Sequence, residues 1–278
     1  MNETDIGPRI YAFPPGGLPP MDDNPESTAI FTESYAVLPA ATMRDIVTSF
    51  LPGWRKTRAW IIARPLTGFA ETFAQYAVEV AAGGGSDAPE PDDQAQAILL
   101  IANGCARLSL NGEEHEMRAG AYAYIPAGSN WQISNPGEVV LQFHWIRKRW
   151  QGAPGLSKPA PIVTSDAAEP INWMPGSEAW GTTRFADPED LSHDCHGNIV
   201  TFLPGGRIPF AETHVMEHGL YVLQGRARYL LNKDWVEVGP GDFMWLRAFC
   251  PQACIQIGDE PFRYLLYKDV NRHVGLGL

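Results

Sequence analysis

Cysteine is scarce in this chain: four in 278 residues, at positions 105, 195, 250 and 254. So few in a chain this long exclude a disulfide framework. Positive charge is also in short supply, with 21 Lys and Arg against 32 Asp and Glu and a formal net charge of −11. That balance argues against nucleic acid, whose phosphates need a basic face, and against an anionic membrane surface. No apolar run approaches the roughly 20 residues of a membrane-spanning helix. The first residues, Met1-Asn-Glu-Thr-Asp5, are acidic and carry no apolar signal core, which makes cytoplasmic residence the expectation.

What is abundant points to β structure. Apolar residues make up 45%, enough for packed cores, and 27 Gly, 24 Pro and nine Trp favour strands and turns over helices. The length accommodates one large or two moderate domains. The most informative stretch is Glu212-Thr-His214-Val-Met-Glu-His218. Its Glu and two His stand two and four positions apart, and on a strand such even spacing turns all three to one face. A carboxylate and two imidazoles converging on a point make a coordination shell for a divalent metal. The alternative is a polar cluster on a surface loop, and the flanking residues disfavour it.

Those flanks run Gly206, five residues, the Glu/His/His cluster, six residues, Gly225. The pattern resembles the first motif of the cupin superfamily, G-x5-H-x-H-x3–4-E-x6-G, with the Glu and one His exchanged. The second cupin motif follows in altered form from Gly241, with Arg247 for the family Pro, Phe249 for the family Gly and Gln252 for the fourth metal-binding His. A Gln carbonyl can still bind a metal through oxygen. The same second motif occurs upstream, from Gly120 through Pro126 and Gly128 to Trp131 and Asn135, with Trp131 in place of the His. Gly104 and Gly225, Gly120 and Gly241, and Trp131 and Gln252 are each 121 residues apart, since 225 − 104 = 241 − 120 = 252 − 131 = 121. An internal repeat at one offset implies two tandem cupin barrels. The offset carries the ligand positions back to Pro91, Asp93 and Ala97, so the first barrel is expected to lack a metal.

The expected organisation is all-β: two tandem cupin (double-stranded β-helix, jelly-roll) barrels. Residues 1–58 form an extended arm that packs on a barrel or a neighbour, with one strand-like run at Ser34–Leu38. Residues 59–150 form the barrel without ligands, 151–183 a Pro-rich linker, and 184–278 the metal-binding barrel. One short helix fits Ala40–Phe50. Cys250 and Cys254 flank Gln252 but need two further ligands to make a metal site, so buried free thiols are expected. Cys195, between His193 and His196, reads as part of a polar loop. Glu217 has odd spacing from His218 and is expected to face away from the metal, towards solvent or behind the ligands. His115, His144 and His273 stand isolated and read as structural.

Within the cupins, the chain resembles the (S)-ureidoglycine aminohydrolase family, bicupins of purine (allantoin) degradation also known as glyoxylate-induced proteins. The resemblance rests on Glu212–Gly219, Tyr229 with Asn232-Lys-Asp-Trp235, Gln252, and Tyr267-Lys-Asp-Val-Asn-Arg272. It implies one Mn(II) per chain, held by Glu212, His214, His218 and Gln252, with other divalent metals compatible. It also implies substrate contacts by Tyr229 and Lys268, a small-molecule substrate and assembly into a homo-oligomer. Ureidoglycine carries a carboxylate, an amine and a ureido group on one carbon, and hydrolysis replaces the amine with hydroxyl and releases ammonia. A dication with one carboxylate ligand leaves the site about +1, suited to an anion. Lys268 is expected to pair with the substrate carboxylate, Tyr229 to donate a hydrogen bond or move a proton, and Glu212 to move protons as well as bind metal. Two other readings are a cupin oxygenase or isomerase using another metal, and a non-catalytic ligand-binding cupin.

Overall fold

The computed structural model describes residues 6–18, 29–44, 49–270 and 272–273. Strands dominate, and the two short helical turns, Ala40–Thr42 and Pro65–Thr67, are 3-10. No helix among the described residues is long and apolar enough to cross a membrane. The expected helix over Ala40–Phe50 is corrected to the single 3-10 turn, with residues 45–48 outside the described set. Alternation builds the strands. In Arg226–Leu231, Ala227, Tyr229 and Leu231 are buried while Arg226 and Arg228 are exposed, the period-two pattern of a sheet with one face on a core.

Three sheets make two barrels. A nine-stranded sheet takes the strands of the upstream half, including Ala74–Ser86, Ala95–Asn103, Ala121–Ile125 and Leu141–Arg149. An eight-stranded and a three-stranded sheet form the downstream half, around Cys195–Phe202, His218–Gln224, Phe262–Asp269 and Arg226–Leu231. Within residues 151–183, Ile162–Ser165 joins the first sheet, while Ile171–Trp173 and the strand Trp180–Arg184 join the second. The arm crosses to the downstream barrel: Tyr35–Leu38 pairs with Phe243–Leu246, and the Ala12 amide donates to the Leu223 carbonyl at 3.0 Å.

The repeat has a steric cause. Gly104 and Gly225 have φ of +79° and +68°, and a Cβ on them would lie 2.8 Å from the Val140 carbonyl oxygen and 2.3 Å from that of Pro261. Val140 and Pro261 are themselves 121 apart. In each barrel the same backbone crossing leaves no room for a side chain, and the left-handed turn favours glycine.

Apolar side chains form three clusters. One fills the first barrel with Leu99, Leu108, Met117, Trp131, Phe143 and Trp145. Trp131, at the position equivalent to Gln252, packs edge-on against Trp145 with ring centroids 5.9 Å apart, so an indole occupies the place where the other barrel keeps polar side chains. A second cluster lines the downstream barrel with Val200, Phe202, Val222 and Leu231. The third is the seam between barrels, where Trp60, Phe73, Tyr122 and Phe185 meet Ile199, Phe243 and Tyr267.

Candidate functional site

The segment from Glu212 to His218 is not one strand, which corrects the expected alternation. Glu212 forms an isolated two-residue bridge with Gln252, amide to carbonyl in both directions at 2.9 and 2.8 Å. His214 lies in the following loop, and its carbonyl accepts from the Phe249 amide at 2.6 Å. Only His218 is in regular structure, opening the strand His218–Gln224. The loop is pinned at three points by non-local partners, and it brings the same side chains inward that a strand would have presented.

Glu212, His214, His218, Gln252, Tyr229 and Lys268 all line one cavity of about 290 Å³ in the downstream barrel. His214 Nε2 stands 3.4 Å from Glu212 Oε1, and the His214 and His218 rings are 5.1 Å apart. Among the described residues, no three His, Cys, Asp or Glu side chains converge into a cluster of metal-holding geometry. The donor set reaches four only by counting the Gln252 carbonyl, which accepts a hydrogen bond from Tyr229 Oη at 3.1 Å and keeps a second lone pair free.

The electrostatics follow from burial. His218 is 5% exposed, and its pKa is pushed down to about 3, first by burial and then by His214 and Lys268. Its imidazole is neutral at physiological pH, with a lone pair to offer. Burial, reinforced by Tyr264, holds the Tyr229 hydroxyl well above the ordinary phenol value, so it remains a donor. Lys268 is lowered by burial and by Arg184, with Asp269 opposing.

Arg184 and Asn198 line the same cavity and were not singled out from the sequence. Parity was the available signal: Thr182 and Arg184, Asn198 and Val200, and Leu266 and Lys268 are same-face pairs on three adjacent strands, and all six face the cavity. Arg184 closes the strand Trp180–Arg184, at the junction between the expected linker and the downstream barrel.

Other expectations sort by burial. Glu217 does point away from the cavity, but not to solvent. It is 6% exposed, and its carboxylate accepts from the Glu71 and Thr72 amides at 2.6 and 2.8 Å, from Thr72 Oγ1 at 2.5 Å and from Trp245 Nε1 at 2.5 Å. Glu71 and Thr72 of the first barrel, with Trp245 of the second, replace water there. Cys195 is likewise not in a polar loop. It begins the strand Cys195–Phe202 and is buried in the seam, where burial raises its thiol pKa, and His193 and His196 are buried beside it. Cys250 and Cys254 are buried free thiols, as expected. His144 packs on the Tyr221 ring at 4.2 Å with Nε2 3.1 Å from the Ala12 carbonyl oxygen, a structural role. His115 sits 3.9 Å from the Glu113 carboxylate, and His273 is exposed.

A cupin-domain family model matches residues 76–147 and 198–267, one stretch in each barrel. The (S)-ureidoglycine aminohydrolase of Escherichia coli K12 is 28% identical over 84% of this chain and 88% of its own length. A rice protein (Oryza sativa subsp. japonica), named "Probable (S)-ureidoglycine aminohydrolase", is 30% identical over 88% of this chain and 75% of its own. A solved Pseudomonas aeruginosa structure described as a glyoxylate-induced protein superposes with a TM-score of 0.90 at 56% identity, covering 97% of this chain and 99% of that one. On these matches, and with two barrels joined along an apolar seam, the chain belongs to the cupins and, among them, to the (S)-ureidoglycine aminohydrolase family.

Proposed function

We propose that this protein is a metal-dependent hydrolase that converts (S)-ureidoglycine and water to ureidoglycolate and ammonia, in purine degradation through allantoin. The observation that carries the reading is the meeting of a carboxylate, two imidazoles, an amide carbonyl, a phenol and a lysine in one cavity, in a chain of this family. The donor set fits a divalent cation: one buried neutral imidazole, a second imidazole beside a carboxylate, and a carbonyl with a spare lone pair. Glu212, His214, His218 and Gln252 would hold it, with Mn(II) the metal proposed. When bound, such a cation supplies Lewis acidity and an anchor for the substrate.

The chain's own groups account for the rest. Lys268 pairs with the substrate carboxylate as a point charge. Tyr229, held protonated by burial, donates a hydrogen bond and fixes the Gln252 side chain. Glu212 serves proton movement as well as metal binding. Self-association is part of the reading, supported by exposed Phe210, Val215 and Phe249 around the site. Light scattering should give a mass above that of one chain.

The deciding experiment strips the protein of metal, restores Mn(II), and measures ammonia from ureidoglycine made in situ from allantoate. Release that depends on the added metal is expected, and His214→Ala should lose metal retention and turnover together. Absence of ammonia with every divalent metal tried, or oxygen uptake with iron bound, would overturn the assignment.

A further inference from the structure

Two cationic side chains, Arg184 and Lys268, line the cavity without an ion pair. The half-buried Lys268 side chain makes no hydrogen bond or ion pair with any described residue, and the side chain of Arg184, which is exposed, makes none either. Elsewhere in the molecule the buried Lys148 and Arg263 are paired with Asp194 and Asp166, and the half-buried Arg147 with Glu90. Lys268 is partly desolvated without a partner, a cost that an anion in the cavity would offset, while the exposed Arg184 stays free to meet that anion.

Strand register places them around a common point. Lys268 lies opposite His196 on the neighbouring strand, and Arg184 lies opposite Asn198 on the strand beyond. The two cations are therefore about two strand spacings apart, roughly 10 Å at the backbone, with long side chains that can converge over the strand between. That intervening strand presents Asn198 to the cavity, and His196 shares its face. His196 is 6% exposed, and its Nε2 is buried with no hydrogen-bond partner among the described residues. Burial, then Lys268, His193 and Arg184, keep its imidazole neutral, so it can donate without adding a third charge.

We infer that Arg184 and Lys268, with Asn198 and His196 between them, form a carboxylate-binding pole of the cavity, and that Arg184 is a specificity-determining residue that selects an acid over its neutral analogues. The inference rests on the reading above that this cavity is the catalytic site, and it adds to Lys268 a second cation suited to a bidentate grip on carboxylate.

The test uses N-carbamoylglycine, which keeps the ureido and carboxylate groups but lacks the amine, and its uncharged methyl ester. Binding is measured by calorimetry on the full-length, metal-stripped protein, so that no metal can hold the carboxylate. The wild type should bind the acid more tightly than the ester. Arg184→Gln should weaken the acid by about 10- to 100-fold, the worth of a charge-assisted hydrogen bond, leave the ester unchanged, and be partly rescued by Arg184→Lys. With metal restored, Arg184→Gln should raise KM by a similar factor with kcat within a few-fold. Equal affinity of wild type for acid and ester, or equal loss of both in Arg184→Gln, would overturn the inference. If the wild type discriminates through Arg184 yet releases no ammonia from ureidoglycine, the carboxylate pole stands and the substrate assignment falls.

Discussion

Phe249 illustrates what a single side chain costs in this fold. It stands where the cupin motif has glycine, and its backbone adopts φ +65°. That region disfavours every residue with a Cβ, and a bulky one most of all. The turn persists because its amide donates to the His214 carbonyl at 2.6 Å, tying the loop that carries His214 to the strand entering Gln252. The residue is 65% exposed and returns little packing. Phe249→Gly is therefore expected to stabilise the protein by about 1 kcal/mol, measured by urea unfolding, and a loss of stability would show that the ring is covered in solution. Strain beside a candidate site is common where geometry is held for function.

The links between elements give the first barrel a part in holding the candidate site. Glu217 is next to His218, and Asp269, next to Lys268, accepts from the Glu217 amide at 2.6 Å. The Glu217 carboxylate is satisfied by Glu71 and Thr72, in the loop before the strand Ala74–Ser86, and by Trp245. Thr72 also contacts the Tyr267 hydroxyl at 2.9 Å. One loop of the upstream barrel thus braces the two strands that carry His218 and Lys268. Glu217→Ala would leave these donors unpartnered in a dry seam, at a cost of about 3–5 kcal/mol. The expected result is a fall of that size in unfolding free energy, with a shift in tryptophan fluorescence as Trp245 loses its acceptor. An effect below 1 kcal/mol would mean that water reaches the seam.

Taken as a whole, the molecule should bind one metal per chain, because the interior of the upstream barrel is filled by Trp131, Trp145 and their neighbours. Elemental analysis approaching two per chain would contradict that. The seam also sets an acid sensitivity. His144 is fully buried there, and burial holds its pKa at about 4, against an ordinary 6.5. Above pH 6.5 the imidazole is neutral in folded and unfolded chains and contributes nothing. Between 6.5 and 4 the unfolded chain takes up a proton that the folded chain refuses, so stability falls, by roughly 3 kcal/mol for a shift of this size. His196, also held at about 4, acts in the same direction. Asp269, raised to about 6 by burial, binds its proton more tightly when folded and offsets part of the loss between pH 6 and 4. Urea unfolding at pH 7 and pH 5 should show lower stability at pH 5, and His144→Gln should flatten the slope. Equal slopes in the two proteins would exclude His144 as the source.

The β class and the doubled barrel were legible in the residues alone; of the side chains that line the cavity, Glu212, His214, His218 and Gln252 stood out through the cupin motifs, and Tyr229 and Lys268 only through the family resemblance. Alternation, left-handed turns at Gly104 and Gly225, and the chemistry of Glu, His and Gln act over a few neighbours and leave their mark in spacing. Other features depend on what lies across the fold. Glu217 reads as facing solvent or standing behind the ligands until Thr72 and Trp245 decide for the second, and Cys195 reads as loop until the upstream barrel covers it. Arg184 becomes part of the cavity only when three strands distant in sequence are brought into register. Burial and charge pairing are properties of non-local neighbours, and no short-range pattern encodes which neighbour will arrive.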